Sequence, residues 1–241
     1  MERDLYGNKD PRDLPAYSVT EAARYLDIAP STLRQWVSGR SYSTSTGPKS
    51  APRLITPAKV GRPSLLSFHN LVEAHVLAGM RLDEKIIMPR VRQALDYVSQ
   101  RMGVSRPLLS ERFLSDGIRL FFRFIEEGEN GQPERVVDVS DDKGQVQISE
   151  AMSAYWRRIT RDSLGVPIRL FPVVLRDLEA RPITVDPRRS FGRPVVTDTG
   201  IPTFVLAERY RAKETIDEIA RDFRLDREKV RIALRYEREA A

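Results

Sequence analysis

Ser31, Thr32, Arg34 and Gln35 place two hydroxyls, a guanidinium and a carboxamide within five consecutive positions of a 241-residue chain. Hydroxyls and guanidinium groups donate to phosphate oxygens, and the forked ends of Arg and Gln match the hydrogen-bonding edges of bases in a major groove. Arg40, Lys49 and Arg53 follow and add three cationic groups for an anionic polymer to meet. The same residue types also occur on ordinary solvated helix corners. The elements that carry them decide between the two.

Those elements occur twice. "EAARYLDIAPSTLR" (21–34) returns as "EIARDFRLDREKVR" (218–231), 197 positions later. A helix-turn-helix needs a small residue where its helices cross, and Ala23 and Ala220 fit that place. It needs an apolar plug in the turn, here Ile28 and Leu225, and a cap on the second helix, here Ser31 (or Pro30 at its first position) and Asp226. It also needs an apolar residue packing back, here Leu33 and Val230. In this motif the second helix enters the major groove. The first copy presents the polar set named above. The second presents Arg227, Glu228, Lys229 and Arg231, with Asp222 and Asp226 nearby, and these acids would repel phosphate. The first copy is therefore expected to meet DNA and the second mainly protein.

The rest of the chain supports a mainly α fold with a small β element, an α+β class. Residues 1–16 carry prolines and mixed charges without an apolar face and read as a flexible arm. Ser18 or Thr20, with Glu21, caps the first helix, and Gly39 ends the second. The polar stretch 41–52 reads as a loop between extended segments, "RLIT" (53–56) on one side, with "PSLLSF" (63–68) beyond, so that residues 17–101 form a winged helix-turn-helix. Ser67 starts a long helix, and a further one is expected over 82–101, with Pro89 in its first turn or dividing it. Residues 102–185 form a central α+β region. Its expected strands are "GIRLFFRFIEE", "ERVVDVS", "GQVQIS", "VPIRLFPVV" and "PITVDP", and "EAMSAYWRRITRD" reads as a helix. Residues 186–241 form a three-helix unit, with Thr215 and Glu218 as a capping box.

Charge separates along the chain. Residues 17–69 hold seven Lys/Arg against two Asp/Glu, whereas 102–150 hold six against ten. The basic excess falls on the segment that carries the first helix-turn-helix, as a phosphate-facing surface requires. The chain has no cysteine, which excludes disulfides and thiolate chemistry and fits a cytoplasmic location. No apolar run approaches the roughly 18–20 residues that span a bilayer, and "MERDLYGNKDPRD" is too polar for a signal peptide, so no membrane partner is expected. Catalysis is not expected either. His69 and His75, six apart, do not share a helix face, and no H-E-x-x-H, Walker A or G-x-G-x-x-G string occurs. Asp138, Asp141 and Asp142 read as a hairpin turn rather than a metal site, and no cofactor is expected.

"YSVTEAARYLDIAPSTLRQWVSGR", the wing and "PSLLSFHNLVEAHVL" resemble the MerR-like winged helix. Residues 190–237 resemble a small antitoxin-associated family labelled a domain of unknown function, matched at Gly192, Pro194, Val195, Ile201, Pro202, Glu218, Ile219, Ala220, Phe223, Leu225, Val230, Ala233, Leu234 and Tyr236. Thr199-Gly200 departs from the pattern, where many members carry a basic residue. Together the two ends resemble long VapB-type antitoxins. That resemblance implies a chain that sequesters a PIN-domain ribonuclease toxin and represses its own operon by binding operator DNA. A PIN site holds its metal with carboxylates, so guanidinium groups inserted there would block it. Arg231, Arg235 and Arg238, spaced i, i+4 and i+7, are the candidates.

Palindromic operators imply a homodimer. The helix over 82–101 offers one surface for it. The C-terminal unit offers another, with Phe204, Leu206, Tyr210, Ile216, Ile219 and Leu234, and is the favoured of the two. The rival expectation is a MerR-like effector-responsive regulator, with a central ligand pocket lined by Phe121, Phe122, Phe124, Tyr155 and Trp156.

Overall fold

In the computed structural model, residues 8–44, 47–81, 91–110, 113, 150–173 and 180–239 are described. The expected strands between 114 and 149, and the residues Phe121, Phe122, Phe124, Asp138, Asp141 and Asp142, lie outside them.

The chain opens with β1 (Tyr17–Ser18), α1 (Val19–Tyr25) and α2 (Pro30–Ser38). Ser18 Oγ accepts the Glu21 N–H at 3.1 Å while the Glu21 carboxylate accepts the Ser18 N–H, a complete capping box. Of the two expected openings of the second helix, the structure takes Pro30 and not Ser31. Ala29 occupies its cap position without a side-chain bond and Pro30 its first turn, so Ser31 is not consumed as a cap. Ala23 and Leu33 are fully buried and Ile28 almost so.

The wing lies where the sequence reads as loop. β2 (Arg40–Thr44) and β3 (Gly47–Ala51) pair antiparallel, with Arg40 opposite Ala51 and Tyr42 opposite Lys49. Their Ser, Thr, Gly and Pro content hides this hairpin from any pattern of alternating apolar residues. "RLIT", expected as extended, is tied instead to α2: the Leu54 and Ile55 N–H groups both donate to the Trp36 carbonyl. β4 (Leu65–Leu66) returns to pair with β1.

α3 (Phe68–Met80) runs through the centre, buried along almost its whole length, because its residues are apolar on every side. Its polar residues are paired. Asn70 donates to the Thr56 carbonyl at 2.9 Å and its Oδ1 accepts the Ala58 N–H, which fixes the strap behind the wing. Glu73 holds Arg106 at 2.8 Å, and His75 Nε2 donates to the Tyr155 carbonyl at 2.8 Å with the two rings stacked. Around it lie α4 (Val91–Met102), the short helix α5 (Glu150–Trp156) and the hairpin β5 (Ile159–Arg161) with β6 (Pro167–Leu170). The helix expected over 150–162 stops at Trp156, since Ile159–Arg161 pairs with β6. The N-terminal arm has no apolar face, yet residues 10–16 are held by polar contacts: Arg12 pairs with Asp10 and Asp162, and Asp13 is hydrogen-bonded to His69 Nδ1 at 2.7 Å.

A second core belongs to the C-terminal unit: β7 (Ile183–Thr184) paired with β8 (Val195–Val196), α6 (Thr203–Arg211), α7 (Ile216–Phe223) and α8 (Arg227–Glu239). Thr215 and Glu218 form the expected capping box, and Arg224 turns the chain with a left-handed backbone. The two cores meet at α1. The Tyr236 hydroxyl donates to the Tyr25 carbonyl at 3.0 Å, Tyr17 donates to the Gly192 carbonyl at 2.9 Å, and Arg24 pairs with Glu237 at 2.7 Å. Burial pushes both phenols well above their usual range, so they stay neutral donors.

Candidate nucleic-acid interface

The fold turns one side of α2 outward. Ser31, Arg34 and Gln35 are exposed and Thr32 is half-buried, while Leu33, Trp36 and Val37 hold the opposite side in the core. The polar set of the first helix-turn-helix is thus assembled on one accessible helical face. Arg81, at the end of α3, approaches Thr32 Oγ1 to 3.5 Å and lies over the Trp36 ring at 6.0 Å. It adds a cation beside α2 that nothing in its sequence neighbourhood marks.

Gly39 joins α2 to the wing with φ 75°, and a Cβ there would sit 2.7 Å from the Ala51 carbonyl oxygen. Only glycine lets the hairpin start so close to the helix end. Arg40 and Arg53, both exposed, stand where the hairpin leaves and rejoins the body; the Lys49 side chain lies outside the described residues. A cleft of about 590 Å³ runs past Ser38, Arg40, Ser50, Arg53, Thr56, Arg92 and Asp96. Arg92 of α4, whose guanidinium is 3.7 Å from Asp96, thereby shares a wall with Arg40 and Arg53. Sequence distance conceals that convergence. Arg40, Arg53 and Arg92 line the cleft, with Arg34 exposed on α2 and Arg81 beside it, and such cations can hold a polyanion through its phosphates while α2 addresses the base edges.

The second copy has the same skeleton and another surface. Ala220 and Val230 are buried, with Leu225 almost buried between them. On α8, Arg227 is engaged by Asp217 at 2.7 Å and Arg231 reaches Glu228 at 3.4 Å. Arg231 and Arg235 are exposed along one side, and the Arg238 side chain lies outside the described residues. Of the residues expected at a dimer contact, Leu206, Ile219 and Leu234 are buried inside the chain's own C-terminal core, and Phe204, Tyr210 and Ile216 remain half-buried at its surface. Tyr155 and Trp156, expected to line a ligand pocket, instead contact His75 and the main core. Among the described residues no His/Cys/Asp/Glu group is arranged to hold a metal ion, and no helix is long and apolar enough to cross a membrane.

The fold is a helix-turn-helix with a wing, and a second helical unit is docked on its first helix. Residues 15–95 match the family model described as "Putative DNA-binding HTH domain", and residues 183–236 match "Protein of unknown function (DUF433)". A Mycobacterium tuberculosis protein named "Putative antitoxin VapB45" is 29% identical over 230 residues, covering 92% of this chain and 93% of that one. The resemblance to VapB-type antitoxins is thus matched by a relative of that name. A crystal structure of Rv2018 from Mycobacterium tuberculosis shares the fold, with a TM-score of 0.66 at 23% identity over 92% of this chain and 98% of that one.

Proposed function

We propose that this chain is the antitoxin of a two-component module, acting in the cytoplasm without a cofactor and without catalysis of its own. Residues 17–101 bind operator DNA through Ser31, Thr32, Arg34, Gln35, Arg40, Lys49 and Arg53, as a homodimer on a palindromic site, and so repress the module's own transcription. Residues 186–241 bind a PIN-domain ribonuclease and silence it, with Arg231, Arg235 and Arg238 directed at its acidic site. The central region, 102–185, joins the two. The half-buried Phe204, Tyr210 and Ile216 supply the apolar part of the dimer contact.

The observation that carries this reading is the pairing of two helix-turn-helix units with different outer surfaces. One is cationic around an exposed α2, and the other carries arginines interleaved with acids on α8. Two such surfaces on one chain suit a protein that holds DNA and a protein partner together.

Coexpression with the product of the adjacent gene, followed by a ribonuclease assay with and without this chain, tests it. Copurification and loss of ribonuclease activity are expected. A chain that binds no neighbour, but whose DNA affinity changes with a small molecule, would instead be an effector-responsive regulator.

A further inference from the structure

The segment 186–193, "DPRRSFGR", is built to a purpose that neither helix-turn-helix explains. Phe191 is 85% exposed and is the only aromatic among the exposed large apolar residues described. Its backbone is left-handed at φ 54°, and so is that of Ser190 at φ 47°. Two consecutive non-glycine residues in that region are strained, and such strain persists only where the surroundings over-determine it.

Here they do. Asp186 accepts the Arg188 N–H at 2.9 Å through its carboxylate and the Arg189 N–H through its carbonyl. The Gly192 N–H closes the turn onto the Arg189 carbonyl, and the Ser190 hydroxyl donates to the Gly200 carbonyl. Tyr17 locks the far end from the other core, and a Cβ on Gly192 would lie 2.2 Å from the Tyr17 hydroxyl oxygen. The result is a rigid mount for one phenyl ring standing in water.

Arg188, Arg189 and Arg193 flank Phe191 in the chain and are all exposed; Arg193 lies over the Phe204 ring at 5.0 Å and Arg189 reaches Asp186 at 3.9 Å. The one acid in the turn, Asp186, is buried and engaged by Arg169 at 3.2 Å. The turn therefore offers an exposed aromatic on a hydrogen-bonded backbone, with three arginines against one buried acid. Aromatic and arginine anchors of this kind dominate protein–protein affinity, and pre-ordering removes the entropy cost of fixing them.

We propose that this turn is the anchor by which the chain docks a partner protein, one with an acidic surface around an apolar pocket. The proposal rests on the antitoxin reading above and names a second contact for its toxin, separate from α8. Protein is favoured over DNA by position. The turn belongs to the C-terminal unit, which meets the first unit through Arg24 and Tyr25 of α1, whereas the polar face for DNA lies on α2 and the wing.

The test uses the full-length chain and the purified product of the adjacent gene, with affinities measured by calorimetry. Phe191→Ala is expected to weaken the complex about thirtyfold, the scale of a hot-spot truncation. Arg188→Glu/Arg189→Glu is expected to weaken it further, while thermal unfolding and operator gel shifts stay unchanged. A parallel Arg231→Glu/Arg235→Glu variant separates the turn from α8. If the wild-type chain does not bind the neighbour, both the antitoxin reading and this proposal fall. If the wild type binds and Phe191→Ala binds equally well, only the turn is dismissed. Loss of operator affinity in the turn variants would assign the turn to DNA, and a change from dimer to monomer in sedimentation would assign it to a second copy. Either outcome overturns the proposal.

Discussion

Arg24 of α1 and Glu237 of α8 form an ion pair at 2.7 Å, and the Glu237 side chain is only 3% exposed. The carboxylate also accepts from the Thr203 hydroxyl, so a charge contributed by the second unit is neutralised by the first. Removing one partner leaves the other buried and unpaired. Arg24→Ala should therefore cost roughly 1–3 kcal/mol, with the partly exposed position of Arg24 moderating the larger values seen for fully buried pairs. Replacing both residues by apolar ones of similar volume should cost less than Arg24→Ala alone. Chemical denaturation of the two variants beside the wild type reads this out. Equal losses would show that the two cores do not depend on the pair.

The α2 face makes a graded prediction. Arg34→Ala and Gln35→Ala should each reduce operator affinity by about 1–3 kcal/mol and relax sequence preference, if they read bases. Arg40→Ala, Arg53→Ala and Arg92→Ala should weaken binding to all sequences alike and lower the salt dependence by about one ion each. Gel shifts at several salt concentrations separate the two groups.

His75 supplies a pH dependence. Burial pushes its pKa from 6.5 down to about 4, while its Nε2–H is committed to the Tyr155 carbonyl. The unfolded chain takes up this proton near pH 6.5 and the folded one does not until near 4. Stability is therefore intact above 6.5 and falls as pH drops towards 4, by roughly 3 kcal/mol on the linkage scale. His75→Phe, which retains the stacked ring, should flatten that part of the pH–stability curve.

A second acid-sensitive element is the α7 cap. The Thr215 backbone N–H, and then its hydroxyl, hold the Glu218 carboxylate below its usual 4.5. Its contribution is in place above 4.5 and is lost as pH falls through the lowered value. Thr215→Ala should destabilise the C-terminal unit by about 1 kcal/mol near neutral pH, and Glu218→Gln should remove the pH-dependent part. Urea titrations at pH 7 and at pH 3.5 test both.

At the helix crossing, Ala23 is fully buried and has no room to grow. Ala23→Leu should cost about 1–3 kcal/mol by overpacking, and it should impair DNA binding by displacing α2. A variant with wild-type melting and wild-type operator affinity would contradict the assigned crossing.

Much of this architecture was readable because its determinants are local. The capping residues Ser18, Ser67 and Thr215 each act on a group three positions on. The wing was not readable as strands, since β2 and β3 are held by their mutual backbone bonds rather than by an apolar face. Of the two openings the sequence offers for the second helix, Pro30 is the one used: it meets the first-turn requirement, and Ala29 before it supplies no side-chain cap.

By itself, the sequence determined two helix-turn-helix units, a basic excess on the first, and the polar residues of its second helix, because hydrogen-bonding caps, helical periodicity and charge count depend only on near neighbours. Tertiary structure alone decided that Arg92 joins Arg40 and Arg53 along one cleft, that Arg81 lies beside α2, that α8 lies against α1 through Glu237 and Tyr236, and that Phe191 stands in water. Those relations link residues up to 213 positions apart, and only the packing of complete elements into shared cores brings such residues within reach of each other.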